Sequence, residues 1–147
     1  MARQRDLSLL GAVLNASVIV SGHLSSRGAA AEVINHWRKF YDFQLITSGA
    51  ILKETTRSML AKGVSPEAIT EYLMAVALSA VVTEDLYIVE AVPTDPSDNI
   101  YLAAGLEGQA DYIVSFDSDL LALKHYHSIQ IVEPKTFLAV LRGKKPQ

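Results

Sequence analysis

The chain contains no cysteine among its 147 residues, and this absence removes several classes of function. Without thiols there are no disulfides, no thiolate nucleophiles and no zinc sites of the cysteine type, and a reducing cytosol is the natural environment. A chain of 147 residues is nevertheless long enough to bury one hydrophobic core without such cross-links. We therefore expect residues 1–147 to form one domain that needs no disulfide.

Long apolar runs are missing as well, and the longest stretch is far too short to span a bilayer. Met1 to Asp6 is polar and charged, which is not the pattern of a leader peptide. We expect a cytoplasmic protein without a membrane segment, with residues 1–7 as a flexible N-terminus and residues 143–147 as a flexible tail. No repeat, low-complexity tract or linker indicates a second domain.

Glycine-rich phosphate loops and an excess of basic charge are also absent. Gly22 and Gly28 are isolated, and neither GxGxxG nor GxxxxGK[ST] occurs, so no nucleotide cofactor is expected. The net charge of -3 is unusual for a nucleic-acid binder. If four of the 16 acidic residues belong to a metal site, however, those that remain no longer outnumber the 13 basic ones. Binding to nucleic acid is therefore not excluded.

Apolar runs and amphipathic stripes alternate along the chain. The runs predict strands at 9–14, 43–47, 110–116 and 129–133, with a further short strand within 81–92. Stripes and capping residues predict helices at 29–40, 48–62, 66–80, 99–109 and 120–126, and a last one from Pro134. This alternation predicts an α/β fold with three layers, in which helices flank a central, twisted and mostly parallel sheet.

Acidic and amide side chains fall where the predicted strands end or the next helices begin. Asn15 and Asp117 follow strands directly, whereas Glu54 and Asp98 lie in early helical turns. Ligands of such sheets bind outside the carboxyl ends of the strands, so we expect these residues to meet at one edge. Two like charges about 4 Å apart cost roughly 4 kcal/mol at an effective dielectric of 20. Hard oxygen ligands therefore predict a bound Mg²⁺ or Mn²⁺ ion.

Three motifs in this pattern resemble the PIN-domain family, and especially its VapC-like branch of toxins from bacterial toxin-antitoxin systems. Glu54 in AILKETTRSML is similar to the family's glutamate on an early helix. Asp95 to Asn99 (DPSDN) is similar to its Asp-x-x-Asp-Asn turn, and Ser115 to Leu120 (SFDSDL) to its Ser-x-Asp-x-Asp-Leu strand end. The resemblance spans nearly the whole chain and implies a three-layer PIN-like domain.

The resemblance implies a metal-dependent endoribonuclease that hydrolyses RNA phosphodiesters. It also implies a homodimer and a small cognate antitoxin whose segment fills a groove near the site. The implied metal ligands are Asn15, Glu54, Asp98 and Asp117, for Mg²⁺ or Mn²⁺. The implied catalytic residues are Glu54, Asp98, Asp117 and Asp119, with supporting roles for Ser17, Asn99 and Ser115.

The first motif departs from the family pattern. Where the family has Asp-Thr-Asn, this chain has Asn15, Ala16 and Ser17. An asparagine oxygen still coordinates a hard cation, but it brings no net charge and does not bridge two ions as a carboxylate does. Loss of a group that only orients a metal ligand already costs about 10- to 100-fold in affinity or activity. The sequence therefore predicts a weakened nuclease, or alternatively an inactive PIN-fold module that binds RNA or a protein partner.

Simpler interpretations remain open for the individual residues. Asp95 and Asp98 are good turn and cap residues, and Glu54 is placed to form an ion pair with Lys53 or Arg57. A generic α/β interaction domain with an accidental acidic cluster is the third alternative. His125 and His127 are two positions apart and face different ways on a helix, so we expect no histidine metal site. Trp37 is best explained as a core residue.

Overall fold

The computed structural model describes residues 3–91 and 96–144, which form six strands and seven helices. Of the ends predicted to be flexible, residues 1–7 and 143–147, only positions 1, 2 and 145–147 lie outside the described residues. The strands are β1 (Gly11–Leu14), β2 (Gln44–Ser48), β3 (Val81–Thr83), β4 (Tyr112–Val114), β5 (His125–Tyr126) and β6 (Ile129–Val132). The helices are α1 (Ala16–Leu24), α2 (Ala29–Arg38), α3 (Gly49–Ala61), α4 (Pro66–Ser79), α5 (Asn99–Glu107), α6 (Ser118–Leu123) and α7 (Pro134–Lys144).

The strands form one sheet in the order β3-β2-β1-β4-β6-β5. The pairs β1–β2, β1–β4, β2–β3 and β4–β6 are parallel, and β5 alone pairs antiparallel, with β6. The predicted mostly parallel sheet is thereby confirmed. The order in which strands are added reverses between β1 and β4, because β2 and β3 extend the sheet on one side of β1, and β4 and β6 extend it on the other. Such a switch point leaves a crevice at the carboxyl ends of the strands.

Helices cover both faces of the sheet and enclose two hydrophobic cores. Ala12 and Leu14 of β1 pack into the first core with α1, α2, α4 and α7, whereas Val13 packs into the second with α5 and α6. This alternation follows from the two-residue period of a strand, and it makes β1 apolar on both sides. Trp37 is 1% exposed within the first core, as predicted. The structure therefore has the three layers predicted from the sequence.

Two serines cap helices as the sequence predicts. Ser48 Oγ accepts a hydrogen bond from Ile51 N at 3.2 Å, and Ser65 Oγ accepts one from Ala68 N at 3.2 Å. These bonds fix the starts of α3 and α4, since the first amides of a helix have no partner within it. No helix in the described part of the chain combines the length and apolarity needed to cross a membrane.

Helix α1 was not predicted, because residues 18–20 (VIV) are β-branched and favour extended chain. Two features override that preference. Asn15 caps the helix, since its Oδ1 accepts a hydrogen bond from Ser17 N at 2.8 Å. In addition, Val18 and Ile19 are fully buried in the first core. Tertiary burial therefore makes a helix of a segment whose local preference is weak.

The prediction of one helix over residues 120–126 was wrong at its C-terminal end. Helix α6 ends at Leu123, because Lys124 adopts a positive φ of 63°, which is outside the helical region. His125 and Tyr126 then form β5 by pairing with Gln130 and Ile129. The sheet therefore ends at this side with a short antiparallel strand.

Candidate metal centre

The candidate site lies at the switch point, where the neighbouring strands β1 and β4 end together. Leu14 and Val114 are partners in the register, and Asn15 N donates a hydrogen bond to Val114 O at 2.9 Å. Ser115 N likewise donates to Val132 O at 3.0 Å. These backbone bonds carry the sheet one residue beyond the strands, so the polar residues that follow start from fixed positions.

Three carboxylates from two separate segments meet there. Asp98 lies in the 3₁₀ turn that precedes α5, and Asp117 and Asp119 lie at the start of α6. One oxygen from each can be chosen so that all three atoms lie within 4.8 Å of one another. Asp98 is 4% exposed. Three negative charges at this spacing, one of them buried, repel strongly unless a cation lies between them.

Local hydrogen bonds hold Asp117 in place. Its Oδ1 accepts from Asp119 N at 2.8 Å and from Leu120 N at 3.4 Å, so the side chain caps α6. Its backbone N donates to Ser115 Oγ at 2.8 Å, and Ser115 is fully buried. A single carboxylate thus serves as a helix cap and as a member of the acidic cluster.

A pocket of about 560 Å³ opens beside this cluster, and five of the predicted site residues line it: Asn15, Ser17, Glu54, Asp98 and Asp117. Glu54 reaches it from the second turn of α3, and its Oε1 lies 3.5 Å from Arg57 Nη2. That pair is solvent-exposed on the arginine side, so its attraction is weak. Glu54 is therefore both an ion-pair partner and part of the pocket wall.

The first motif supplies a neutral edge to the pocket. Asn15 is 5% exposed, and its Oδ1 is used to cap α1 through Ser17 N. Ser17 Oγ accepts a hydrogen bond from Phe116 N at 3.5 Å, which links this edge to the loop that carries Asp117. Both residues therefore contribute oxygen atoms without charge.

The three remaining predicted site residues, Asn99, Ser115 and Asp119, are not part of the pocket lining. Asn99 Oδ1 accepts a hydrogen bond from Ala91 N at 3.0 Å, which ties the segment before the acidic turn to α5. Asp95, the first residue of the predicted turn, lies outside the described residues.

Tyr101 is a residue of the site that was not predicted from the sequence. Its hydroxyl accepts a hydrogen bond from Ala16 N at 3.3 Å and lines the pocket. Burial raises the pKa of the Tyr101 hydroxyl, and the negative charges of Glu54, Asp98 and Asp117 raise it further. The signal was present in the sequence, because a residue three positions after Asp98 on a helix faces the same side.

A family model of the PIN domain matches residues 11–119, which is most of the chain and includes every residue of the site. The chain belongs to the PIN-domain family. PIN domains are generally metal-dependent nucleases that bind RNA. No curated protein and no solved structure matches the chain.

The residues of this PIN domain fit a hard divalent cation. Asp98, Asp117 and Asp119 offer carboxylate oxygens, and no histidine joins this cluster in the described part of the chain. Carboxylate oxygens of this kind suit hard cations such as Mg²⁺ or Mn²⁺. The three aspartates would hold the ion, and the oxygens of Asn15 and Glu54 lie in the lining of the adjoining pocket.

Proposed function

We propose that this PIN domain is a Mg²⁺- or Mn²⁺-dependent endoribonuclease that hydrolyses RNA phosphodiesters. The observation that carries the proposal is the convergence of Asp98, Asp117 and Asp119 within 4.8 Å. These residues come from two segments of the chain and adjoin a pocket large enough for part of a substrate. An acidic cluster that formed by accident would have no reason to lie at the switch point of the sheet.

When bound, a divalent ion supplies positive charge to the phosphate oxygens and activates water. The residues of the chain would hold and orient the reacting groups. Asp117 is fixed by the amides of α6, so its carboxylate stays in place without metal. Tyr101 keeps its hydroxyl protonated beside the acids, since its pKa is raised. Ala16 and Val20 make part of the pocket wall apolar.

A second candidate is a binding module that retains the fold but no efficient catalysis, and Asn15 favours it. The side chain at this position brings no charge, and its Oδ1 already accepts the hydrogen bond from Ser17 N. It therefore attracts a cation less than an aspartate would. In this case the protein would act through RNA or a protein partner.

Metal removal tests the proposal directly. We expect the purified chain to cleave single-stranded RNA in Mn²⁺ and to lose this activity when a chelator is added. Titration calorimetry with Mn²⁺ should detect binding at a single acidic site. Absence of binding at millimolar metal would contradict catalysis through this site and favour the binding module. Two variants locate the ion, with Glu67→Gln on α4 as the control for Asp119→Asn in the cluster. If Mn²⁺ binding released the same heat with both variants, the assignment of the ion to this cluster would be contradicted.

We also propose, more specifically, a toxin of the VapC-like branch that forms a homodimer and is held by a small antitoxin. Support comes from Leu73, Met74 and Leu78, three exposed apolar side chains on α4. Exposed apolar surface of this kind often marks protein contacts. Size-exclusion chromatography with light scattering should give twice the mass of the chain. A monomer at high protein concentration would contradict the dimer without affecting the nuclease.

A further inference from the structure

The pocket extends past the acidic cluster as a groove between α1 and α3. Its walls follow a four-residue spacing, which keeps side chains on one face of a helix. Four residues of helix rise about 6 Å, so the far end of the α3 wall lies about 12 Å from Glu54. The α1 wall carries Ser17, Ser21 and the C-cap residue Ser25, and the α3 wall carries Glu54, Ser58 and the C-cap residue Lys62.

The two ends of this groove have opposite charge. Glu54, Asp98 and Asp117 lie at one end, and Lys62 lies at the other as the single cationic side chain of the described lining. Lys62 is exposed and forms no ion pair with any other residue in the described part of the chain. Its charge is therefore available to an anion in the groove.

The middle of the groove is suited to a nucleotide. Ser21 and Ser58 offer hydroxyl groups, and Val20 and Leu24 offer apolar surface. Hydroxyls can donate to phosphate or ribose oxygens, and an apolar wall can contact the face of a base or sugar. The volume of about 560 Å³ has the scale of a small-molecule site and is too small for a duplex.

We propose that Lys62 is a substrate-binding residue, which holds the phosphate of a nucleotide next to the bond that is cleaved. From the acidic cluster, the RNA would extend as a single strand between α1 and α3 toward Lys62. Charge determines this direction. A phosphate next to the one at the metal site would be repelled by Glu54 unless a positive charge were close to it, and Lys62 supplies that charge. This inference rests on the proposed nuclease function, and it adds the path of the substrate and the residue that fixes it.

Lys53, in the second turn of α3, provides a matched control for Lys62, which caps the end of that helix. It is exposed like Lys62, but it lines a separate shallow pocket with Leu52 and Leu60 on another side of α3. Lys62→Gln and Lys53→Gln each remove one positive charge. A Lys62→Arg variant keeps the charge and should keep binding. Melting temperatures of all three should stay close to that of the native chain, since both lysines are on the surface.

The experiment measures fluorescence anisotropy of a labelled single-stranded RNA in chelator, where no cleavage occurs, between about 50 and 200 mM salt. Each phosphate contact with a single strand contributes about 0.7 to the slope of log K against log salt. We expect Lys62→Gln to weaken binding and to lower this slope by about 0.7, while Lys53→Gln leaves the slope unchanged. In Mn²⁺, Lys62→Gln should raise KM for RNA and leave kcat nearly unchanged.

The outcomes separate this inference from the nuclease proposal. If Lys62→Gln and Lys53→Gln gave equal slopes of log K against log salt while RNA cleavage stayed intact, only the role of Lys62 would be overturned, and the nuclease proposal would stand. A selective effect of Lys62→Gln on binding, with no cleavage in Mn²⁺, would support the groove and contradict the nuclease. Binding of an acidic peptide that depends on Lys62, without binding of RNA, would overturn the RNA path and identify a protein-docking groove.

Discussion

Replacing Asn15 by aspartate should raise RNA cleavage in Mn²⁺ by at least about 10- to 100-fold, the range found for groups that merely orient a metal ligand. Asn15 is buried and lines the pocket beside Asp98 and Asp117. The substitution keeps size and shape and adds one negative charge there. A stronger negative field should tighten binding of the divalent ion and thus increase the active fraction of the enzyme.

The substitution should not disturb the fold. Asparagine and aspartate are about equally good helix caps, so the hydrogen bond from Ser17 N to the side chain is retained. In chelator we expect a lower melting temperature than for the native chain, because the added charge faces the other carboxylates. In Mn²⁺ we expect a larger increase in melting temperature than for the native chain, because the ion binds the folded state more tightly.

Asn35→Asp is the matched control, because it adds the same charge on α2 at a different pocket. It should change neither Mn²⁺ affinity nor cleavage. If Asn15→Asp left both quantities unchanged as well, Asn15 would not belong to the metal centre. If it tightened Mn²⁺ binding but produced no cleavage, the binding module would become the better description of this PIN domain.

The fold could be predicted from the sequence where one physical signal dominates. Residues 9–14 are apolar on both faces, and a strand of this kind has to be covered by helices on each side. Ser65 and Pro66 start α4 through a side-chain cap and a fixed φ, both of which are local effects. Signals of this kind need no knowledge of the rest of the chain.

The errors arose where packing or turn geometry overrides local preference. Residues 18–20 favour a strand locally, yet they are helical because Asn15 caps them and the sheet buries them. Tyr126 belonged to a predicted helix, yet the helix ends before Lys124, which has a positive φ, and Tyr126 pairs with Ile129 as part of β5. A positive φ at lysine has no sequence signature, so this turn could not be predicted.

The residues of the candidate site also differ in whether the sequence indicates them. Its acidic residues follow strands or cap helices, and motif spacing alone indicates them. Tyr101 belongs to no motif, and only its spacing from Asp98 indicates that the two share a face of a helix. Lys62 belongs to no motif either, and it reaches the pocket only through the geometry of α3. Ser21 could not be assigned to the pocket, because helix α1, which carries it, was not predicted. The sequence therefore indicates the acidic residues of the candidate site, whereas it does not indicate the shape of the pocket beside them.

Asp117→Asn should abolish detectable metal-dependent cleavage, with a loss of at least about 10- to 100-fold. The asparagine Oδ1 can still accept the hydrogen bonds from Asp119 N and Leu120 N, so α6 keeps its cap. Only the charge is lost, together with its attraction for the ion. We expect weaker Mn²⁺ binding by calorimetry and an unchanged or slightly higher melting temperature in chelator, since repulsion from Asp98 and Asp119 falls.

Asp6→Asn removes one negative charge from an exposed turn before β1, where Asp6 Oδ1 accepts a hydrogen bond from Ser8 N. Because this turn lies at the opposite edge of the sheet, neither cleavage nor Mn²⁺ binding should change. Full activity of Asp117→Asn would show that the reaction does not use the acidic cluster. A folded but inactive Asp117→Asn beside a fully active Asp6→Asn would instead trace catalysis to the charge of this carboxylate, since both variants lose the same net charge and keep their hydrogen bonds.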